Sequence, residues 1–497
     1  MAILDGAETS SAEDTRPGPR HASPELRQDI IPGRRGRHAT IGYTPLGEQW
    51  ARDRAASLRT SGGADAEDGA TDGGANDGDH DEADRTDGRH AAGRTRLIGA
   101  LDFVLGGSGS SPRHPQRRQE LTESTCTVRF TGAGETVTAV RRGSAPQELT
   151  VHSSGTEAAP WALPLAGWQT WLGQSLFGLT GADDEPTYQS LLSYYLRDAD
   201  HGGFNDPVRQ HSRQSAVDTL PPLAHLFGLD PALVEAAKTL HQSRRHLRSS
   251  QRGDDDLPTG QRFTDQAASR DLANLTAEIA TLELERAETA ADATWRTARA
   301  AGGALATDPQ VAVAALEARL AALQARRSAL ARYADAHAEL QRQALELRES
   351  VRHDLRGRHD RLTAASERFT RYAYRMFGPD RPAALTVTAR DSGYAFHPVL
   401  GGDAAPGVRA ITLFCFDLAM AVTAHRAGTG PDFLIHDSRL FDRVPTSYVA
   451  AALDLAARVC AVEDLQYLAV LDAGRLAEVT KYDPTLSYHE CVVLSEH

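Results

Sequence analysis

Apolar positions along this chain follow three rhythms in turn, and the changes between them mark its segments. In TRLIGALDFVLGG, Leu97, Ile98, Leu101, Val104 and Leu105 recur at helical spacing and Gly106-Gly107 supplies a stop, so a helix is expected from Thr95. Three short alternating stretches follow, TCTVRF, TVTAVR and ELTVH, separated by glycine-containing turns, and they predict an antiparallel meander. From Trp161 to about Arg252 the pattern reads as helical. Its clearest piece is GLDPALVEAAKTLHQ, with Asp230 as cap and Pro231 at the first helical position.

Between about Arg262 and Tyr374 the rhythm becomes heptad. Leu272, Leu275, Ile279 and Leu282 follow 3-4-3 spacing, and Leu316, Leu320, Leu323, Arg327 and Leu330 follow 4-3-4-3. Gly302-Gly303 and Thr307-Asp308-Pro309 interrupt it, which predicts two short antiparallel helices joined by a tip near 302–309. Beyond the coil, LTVTAR and YAFHPVL predict a hairpin around Asp391-Ser392-Gly393, and a long apolar helix follows Gly407. DFLIH and QYLAVL, with a helix from about Ser447 to Val462 between them, form a strand–helix–strand unit typical of α/β folds.

Composition changes this picture at the N-terminus. Residues 61–90 contain no Val, Ile, Leu, Met, Phe, Tyr or Trp, so they cannot bury enough surface to offset their ordering entropy. Low complexity and disorder are therefore expected across 1–87. Residues 61–87 hold ten acids and one arginine, so −9 of the net charge of −13 lies there. The remaining −4 excludes an overall basic nucleic-acid binder and leaves local basic patches open. The groups Arg244, Arg245, Arg248, Arg252 and Arg352, Arg356, Arg358, Arg361 fit phosphate contacts or solvated helical faces.

Four scattered cysteines without CxxC spacing favour neither a disulfide framework nor a zinc site, and a cytoplasmic setting fits them. The opening MAILDGAETSSAED lacks the pattern of a secretory signal. The uncharged stretch 158–182 is diluted by Pro164, glycines and polar residues, so it reads as a buried helical segment and no membrane span is expected.

Three motifs carry candidate chemistry. Gly88-Arg89-His90-Ala91-Ala92-Gly93-Arg94-Thr95 has P-loop spacing before a helix, where backbone N–H groups cradle phosphates and a Thr hydroxyl holds magnesium. Arg94 stands in place of the usual lysine, and the residues before Gly88 are acidic rather than an apolar strand. Phe433-Leu434-Ile435-His436-Asp437-Ser438 is an apolar strand ending in an acid, the pattern in which a carboxylate holds magnesium or polarises attacking water; an ordinary buried strand ending in a turn has the same pattern. Gly401-Gly402-Asp403-Ala404-Ala405-Pro406-Gly407 opens the apolar helix, either as a phosphate contact or as a plain helix start. Asp417, inside that helix, reads as a buried structural acid.

The order of these parts resembles the split ABC-type ATPases of the structural-maintenance-of-chromosomes (SMC) and RecN type. The C-terminal third more closely resembles a bacterial family of such proteins, domain of unknown function 2326. The matching residues are Tyr374-Arg375-Met376-Phe377-Gly378, Gly393-Tyr394-Ala395-Phe396-His397-Pro398, Leu413-Phe414-Cys415-Phe416-Asp417-Leu418, Phe433 to Ser438 with Leu440-Phe441-Asp442, and Gln466-Tyr467-Leu468.

The resemblance implies an α/β fold, with a P-loop ATPase head made from 88–160 and 375–497. A helical region at 161–261 and a coiled-coil hairpin at 262–374 lie between the two halves. It places Gly88, Gly93, Arg94 and Thr95 at the phosphates of ATP, Thr95 and Asp437 at Mg2+, and Asp437 as the catalytic carboxylate. Gly407 lies in the nearest candidate for a signature segment, and Asp442 matches an acid facing a second head. It also implies homodimerisation through the heads, partner subunits, and DNA as a possible substrate in bacterial DNA maintenance or defence. A non-catalytic coiled-coil scaffold of the same fold is the alternative.

Overall fold

The computed structural model describes residues 2–4, 37–38, 98–107, 125–154 except 133–134, 159–253 except 198, 200 and 216, 265–300, 309–402 and 405–490 except 487. The candidate phosphate loop at 88–95 lies outside them, as does most of 1–87. The chain divides into two compact units: Met1–Pro231 with Asp354–Thr388 and Tyr394–His497, and Ala232–His353 with Ala389–Gly393.

The first unit is built around the strand–helix–strand motif expected from the sequence. Strand β9 (Phe433–Asp437) lies parallel to β10 (Gln466–Val470), with Phe433 opposite Gln466 and Asp437 opposite Val470. Every residue of both strands is buried, as continuous apolar runs in a covered parallel pair require. The connection between them contains α10 (Thr446–Glu463). The full sheet order is β11 (His489–Glu490), β1 (Ala2–Leu4), β10, β9. β1 runs antiparallel to β10, pairing Ala2 with Ala469 and Leu4 with Tyr467. Composition predicts disorder across 1–87, yet β1 lies there: three residues are too few to show a periodicity, and the pairing partner defines the strand.

Helix α9 (Pro406–Ala427) is buried on every side from Ile411 to Ala424. It is long and apolar enough to cross a membrane by composition, yet 78% of its apolar window is buried within the protein. An all-round apolar helix of this kind is a core helix. Helix α8 (His359–Phe377) packs on it, burying Ala365, Phe369, Tyr372, Ala373 and Met376 at helical spacing.

The predicted meander is present as β3 (Thr125–Gly132), β4 (Glu135–Arg142) and β5 (Glu148–Ser153). It gains β2 (Arg37–His38) on one edge and β6 (Trp161–Pro164) on the other. β6 corrects the helical expectation at Trp161: its backbone pairs Trp161 with Val151 and Leu163 with Leu149. Helix α2 (Leu165–Phe177) starts directly after it and stacks Trp168 on Trp171 at 5.0 Å, with Phe130 of β3 against both rings.

Helices α3 (Tyr188–Tyr195) and α4 (Leu220–Phe227) complete this region. The described residues between them form turns rather than the helix expected from the sequence. The expected hairpin is also present, as β7 (Ala383–Arg390) and β8 (Gly393–Leu400), with Gly393 at φ 98°, a conformation that favours glycine.

The second unit contains most of α5 (Pro231–Gly253), with α6 (Asp265–Ala300) and most of α7 (Pro309–Gly357). Leu275 packs with Ala329, Leu330 and Tyr333, while Ile279 and Leu282 pack with Leu320. Contacts that step backwards along α6 as they step forwards along α7 make the pair antiparallel, as the heptads predicted. Leu247 of α5 joins the first cluster, so a third helix supports the seam. Helix α7 ends earlier than the periodicity indicated: Arg358, at φ −109° and ψ 16°, separates it from α8, whose apolar face serves the first unit.

Two half-buried histidines give the first unit a definite pH response. His225 Nε2 donates to the Phe177 carbonyl at 2.9 Å, and burial lowers its pKa below 6.5; burial lowers that of His425 likewise. The unfolded chain therefore binds protons first, and stability is lost as pH falls below about 6.5. The melting temperature is expected to drop as pH falls below about 6.5, and His225→Gln to flatten that slope when melting is followed by calorimetry.

Candidate active site

The described part of the site lies at the carboxyl end of the β9/β10 pair, where ligands of open α/β sheets bind. Asp437 is the last paired residue of β9 and is 4% exposed. Its Oδ1 accepts the Ser438 hydroxyl at 3.1 Å and, weakly, the Arg439 N–H at 3.5 Å, which caps a short 3-10 turn at Ser438–Leu440. Opposite it, β10 ends at Val470, and Asp472 follows two residues on. Asp472 caps helix α11 (Ala473–Tyr482) through the Arg475 N–H at 2.5 Å.

The turn after β9 leads to Asp442, which is exposed, and then to Arg443. A Cβ built on Gly407 would lie 3.0 Å from the Arg443 carbonyl oxygen. The start of α9 and the loop after β9 therefore meet at backbone distance, a close approach that glycine permits. The fold thus brings the Gly407 segment beside the loop bearing Asp442. The loop itself continues directly from Asp437. Gly88, Gly93, Arg94 and Thr95 lie outside the described residues.

His436 is turned the other way, as alternation along a strand requires. Its Nε2 is 3.1 Å from Asp417 Oδ2 and its Nδ1 2.9 Å from the Tyr467 hydroxyl, all in the buried core. A carboxylate only accepts, so Nε2 bears the hydrogen; in the neutral ring Nδ1 then accepts from Tyr467. Burial raises the Tyr467 pKa well above the usual phenol range, which keeps that donor protonated. Both ring nitrogens are committed to the core, so the residue is not presented as a metal ligand.

Asp417 also holds Arg197 in a two-point ion pair, Nε to Oδ2 at 2.7 Å and Nη2 to Oδ1 at 2.6 Å, with both side chains fully buried. The rest of the guanidinium donates to the carbonyls of Gly203 and Arg209 at 2.9 and 2.8 Å, and to that of Pro207 at 2.6 Å. This accounts for the turns between α3 and α4: their backbone wraps a buried cation. The sequence marked Asp417 as a buried acid, because it is the one charge in an apolar stretch, but gave no signal for Arg197.

A second buried arginine secures the helix that follows the candidate phosphate loop. Helix α1 (residues 98–104) is present, and Gly106 at φ 94° ends it as expected. Five consecutive carbonyls at this end are bound by side chains. Arg141 donates to those of Phe103 and Gly107, Trp168 to Val104 at 3.0 Å and Tyr188 to Leu105 at 2.8 Å. Gln169 and Gln189 both donate to Gly106 at 2.7 Å. The last carbonyls of a helix have no partner within it and must be satisfied from outside. Burial pushes the Arg141 pKa down to about 10, while the Asp102 carboxylate raises it, so the group stays cationic against the negative end of the helix.

Among the described residues, no three His, Cys, Asp or Glu side chains gather as a metal cluster. Residues 366–497 match a family described as an uncharacterised protein conserved in bacteria (DUF2326). That span runs from α8 through the whole β9–α10–β10 motif and includes Asp417, His436, Asp437 and Asp442. Among solved structures, the chain is similar to the Smc head domain with a coiled coil and joint from Pyrococcus yayanosii. The identity is 13%, covering 77% of this chain and 86% of that one, with a TM-score of 0.35. It is also similar to the Smc head domain with an extended coiled coil bound to the C-terminal domain of ScpA from Pyrococcus furiosus. There the identity is 12%, the coverage 78% and 83%, and the TM-score 0.35. No curated protein matches the chain.

Proposed function

We propose that the protein is an SMC/RecN-like ABC-type ATPase whose split head binds and hydrolyses ATP as a homodimer and moves its coiled-coil hairpin. The observation that carries the reading is Asp437, a carboxylate closing a buried parallel strand and followed by a loop in backbone contact with the start of α9. In this reading Gly88, Gly93, Arg94 and Thr95 hold the phosphates, and Asp437 polarises the attacking water or holds the metal. Asp442 and the Gly407 segment face the second copy.

The residues fit a magnesium held by few protein ligands, Asp437 and Thr95, with phosphate oxygens supplying others, the usual habit of this ion. Bound Mg2+ would neutralise charge on the transferring phosphate. The reading extends to a cytoplasmic setting, supported by the free buried thiols of Cys126, Cys415 and Cys460, and to DNA and partner subunits as what the coil serves.

One observation favours a second reading, a nucleotide-free scaffold of the same fold. His436 stands where ABC heads place the first of two acids, and it is committed to the core, which leaves Asp437 as the remaining acid of that pair. Equilibrium titration of the full chain with Mg-ATP separates the two. The ATPase reading predicts saturable binding that weakens about tenfold or more in Thr95→Ala, through loss of a metal-side ligand. Absence of binding by the wild-type chain establishes the scaffold.

A further inference from the structure

Strand β9 ends at Asp437, and the residue before it is its last anchor in the core. That anchor is a chain of hydrogen bonds through four segments: Tyr467 on β10, His436 on β9, Asp417 on α9, and Arg197 after α3. The His436 ring is packed edge-on against Tyr467 at 5.5 Å, with Phe414 of α9 at 6.0 Å, so the ring has two fixed contacts as well as two polar ones. Asp437 is the next residue, on the opposite face, where its Oδ1 accepts from the Ser438 hydroxyl and the Arg439 N–H. Any tilt of His436 therefore displaces the Asp437 carboxylate through one peptide unit.

The same chain reaches the start of α9. Asp417 is ten residues beyond Gly407 on that continuous helix, about 15 Å along its axis. His436 thus ties the strand carrying the candidate catalytic carboxylate to the helix whose start abuts the Asp442 loop. One imidazole is held by both elements of the site.

Resting on the ATPase reading, we propose that His436 and Tyr467 are positioning residues that fix Asp437 for hydrolysis and lock β9 to α9, while touching neither nucleotide nor metal. A small displacement of a reacting group reduces turnover far more than it reduces binding. The effect is therefore expected in kcat and not in KM.

The test compares steady-state Mg-ATP hydrolysis by the full-length wild type, Tyr467→Phe, His436→Gln, Asp437→Asn and Leu330→Ala. Tyr467→Phe keeps the ring and removes only the hydroxyl facing His436 Nδ1. Leu330→Ala is a control that destabilises the coil seam of the second unit. The expected result is a kcat about tenfold lower in Tyr467→Phe, and lower still in His436→Gln, with KM within about twofold of wild type. Leu330→Ala should melt earlier yet keep wild-type kcat. Wild-type kcat in Tyr467→Phe and His436→Gln, while Asp437→Asn is inactive, overturns the positioning role and leaves the ATPase reading standing. Absence of hydrolysis by the wild type overturns both. A Leu330→Ala kcat that falls in step with Tyr467→Phe assigns the loss to stability and also overturns the positioning role.

Discussion

Asp417→Asn is expected to destabilise the first unit by about 3–5 kcal/mol, the range for breaking a buried ion pair by removing one partner. The change is nearly isosteric, so no cavity contributes. What is lost is the counter-charge to Arg197, a cation with no exposure at all. The amide also turns an N–H2 towards either the guanidinium or the His436 Nε2–H, both of which need an acceptor. Carbonyls of Gly203, Pro207 and Arg209 remain as acceptors for the guanidinium, but neutral dipoles do not replace a carboxylate in a water-excluded core. Thermal unfolding should fall on the order of 10 °C. A variant within about 1 kcal/mol of wild type would show that water reaches Arg197.

Asp437→Asn is expected to lower ATP hydrolysis about a hundredfold or more, the usual cost of losing a positioned general base. The amide oxygen can still accept from the Ser438 hydroxyl and the Arg439 N–H, so the turn at Ser438–Leu440 keeps its cap. Folding should therefore be preserved and the loss should be confined to turnover. Mg-ATP binding should persist within about threefold if Asp437 acts on water, and weaken more than that if it is the metal ligand. Phosphate release and equilibrium binding, measured on the same preparation, decide between the two roles.

Elements whose pattern repeats often enough were legible in the sequence. The apolar helix after Gly407, the β9–α10–β10 unit, the hairpin at Asp391-Ser392, the meander and the coil seam each carry a periodicity of several matching positions. Elements defined by their partners were not. β6 has four residues, and its pairing with β5 outweighs the helical spacing of the aromatics that follow. β1 is shorter still. The turns between α3 and α4 are organised by Arg197, whose carboxylate partner is 220 residues away, a relation no local window contains. The helix 98–104 was visible, but the five side chains that bind its end come from β4, α2 and α3 and carry no shared motif. Of the candidate site, the Asp437 strand and the Gly407 helix start were legible as motifs; their meeting beside the Asp442 loop depends on tertiary packing.

The measurement that tests the central claim most directly is phosphate release from Mg-ATP by the wild-type chain across a range of protein concentrations, beside Asp437→Asn. The account predicts turnover whose specific activity rises with concentration, because two copies complete the site, and its loss in Asp437→Asn. Phosphate release that is absent at every concentration, or equal in wild type and Asp437→Asn, would contradict it.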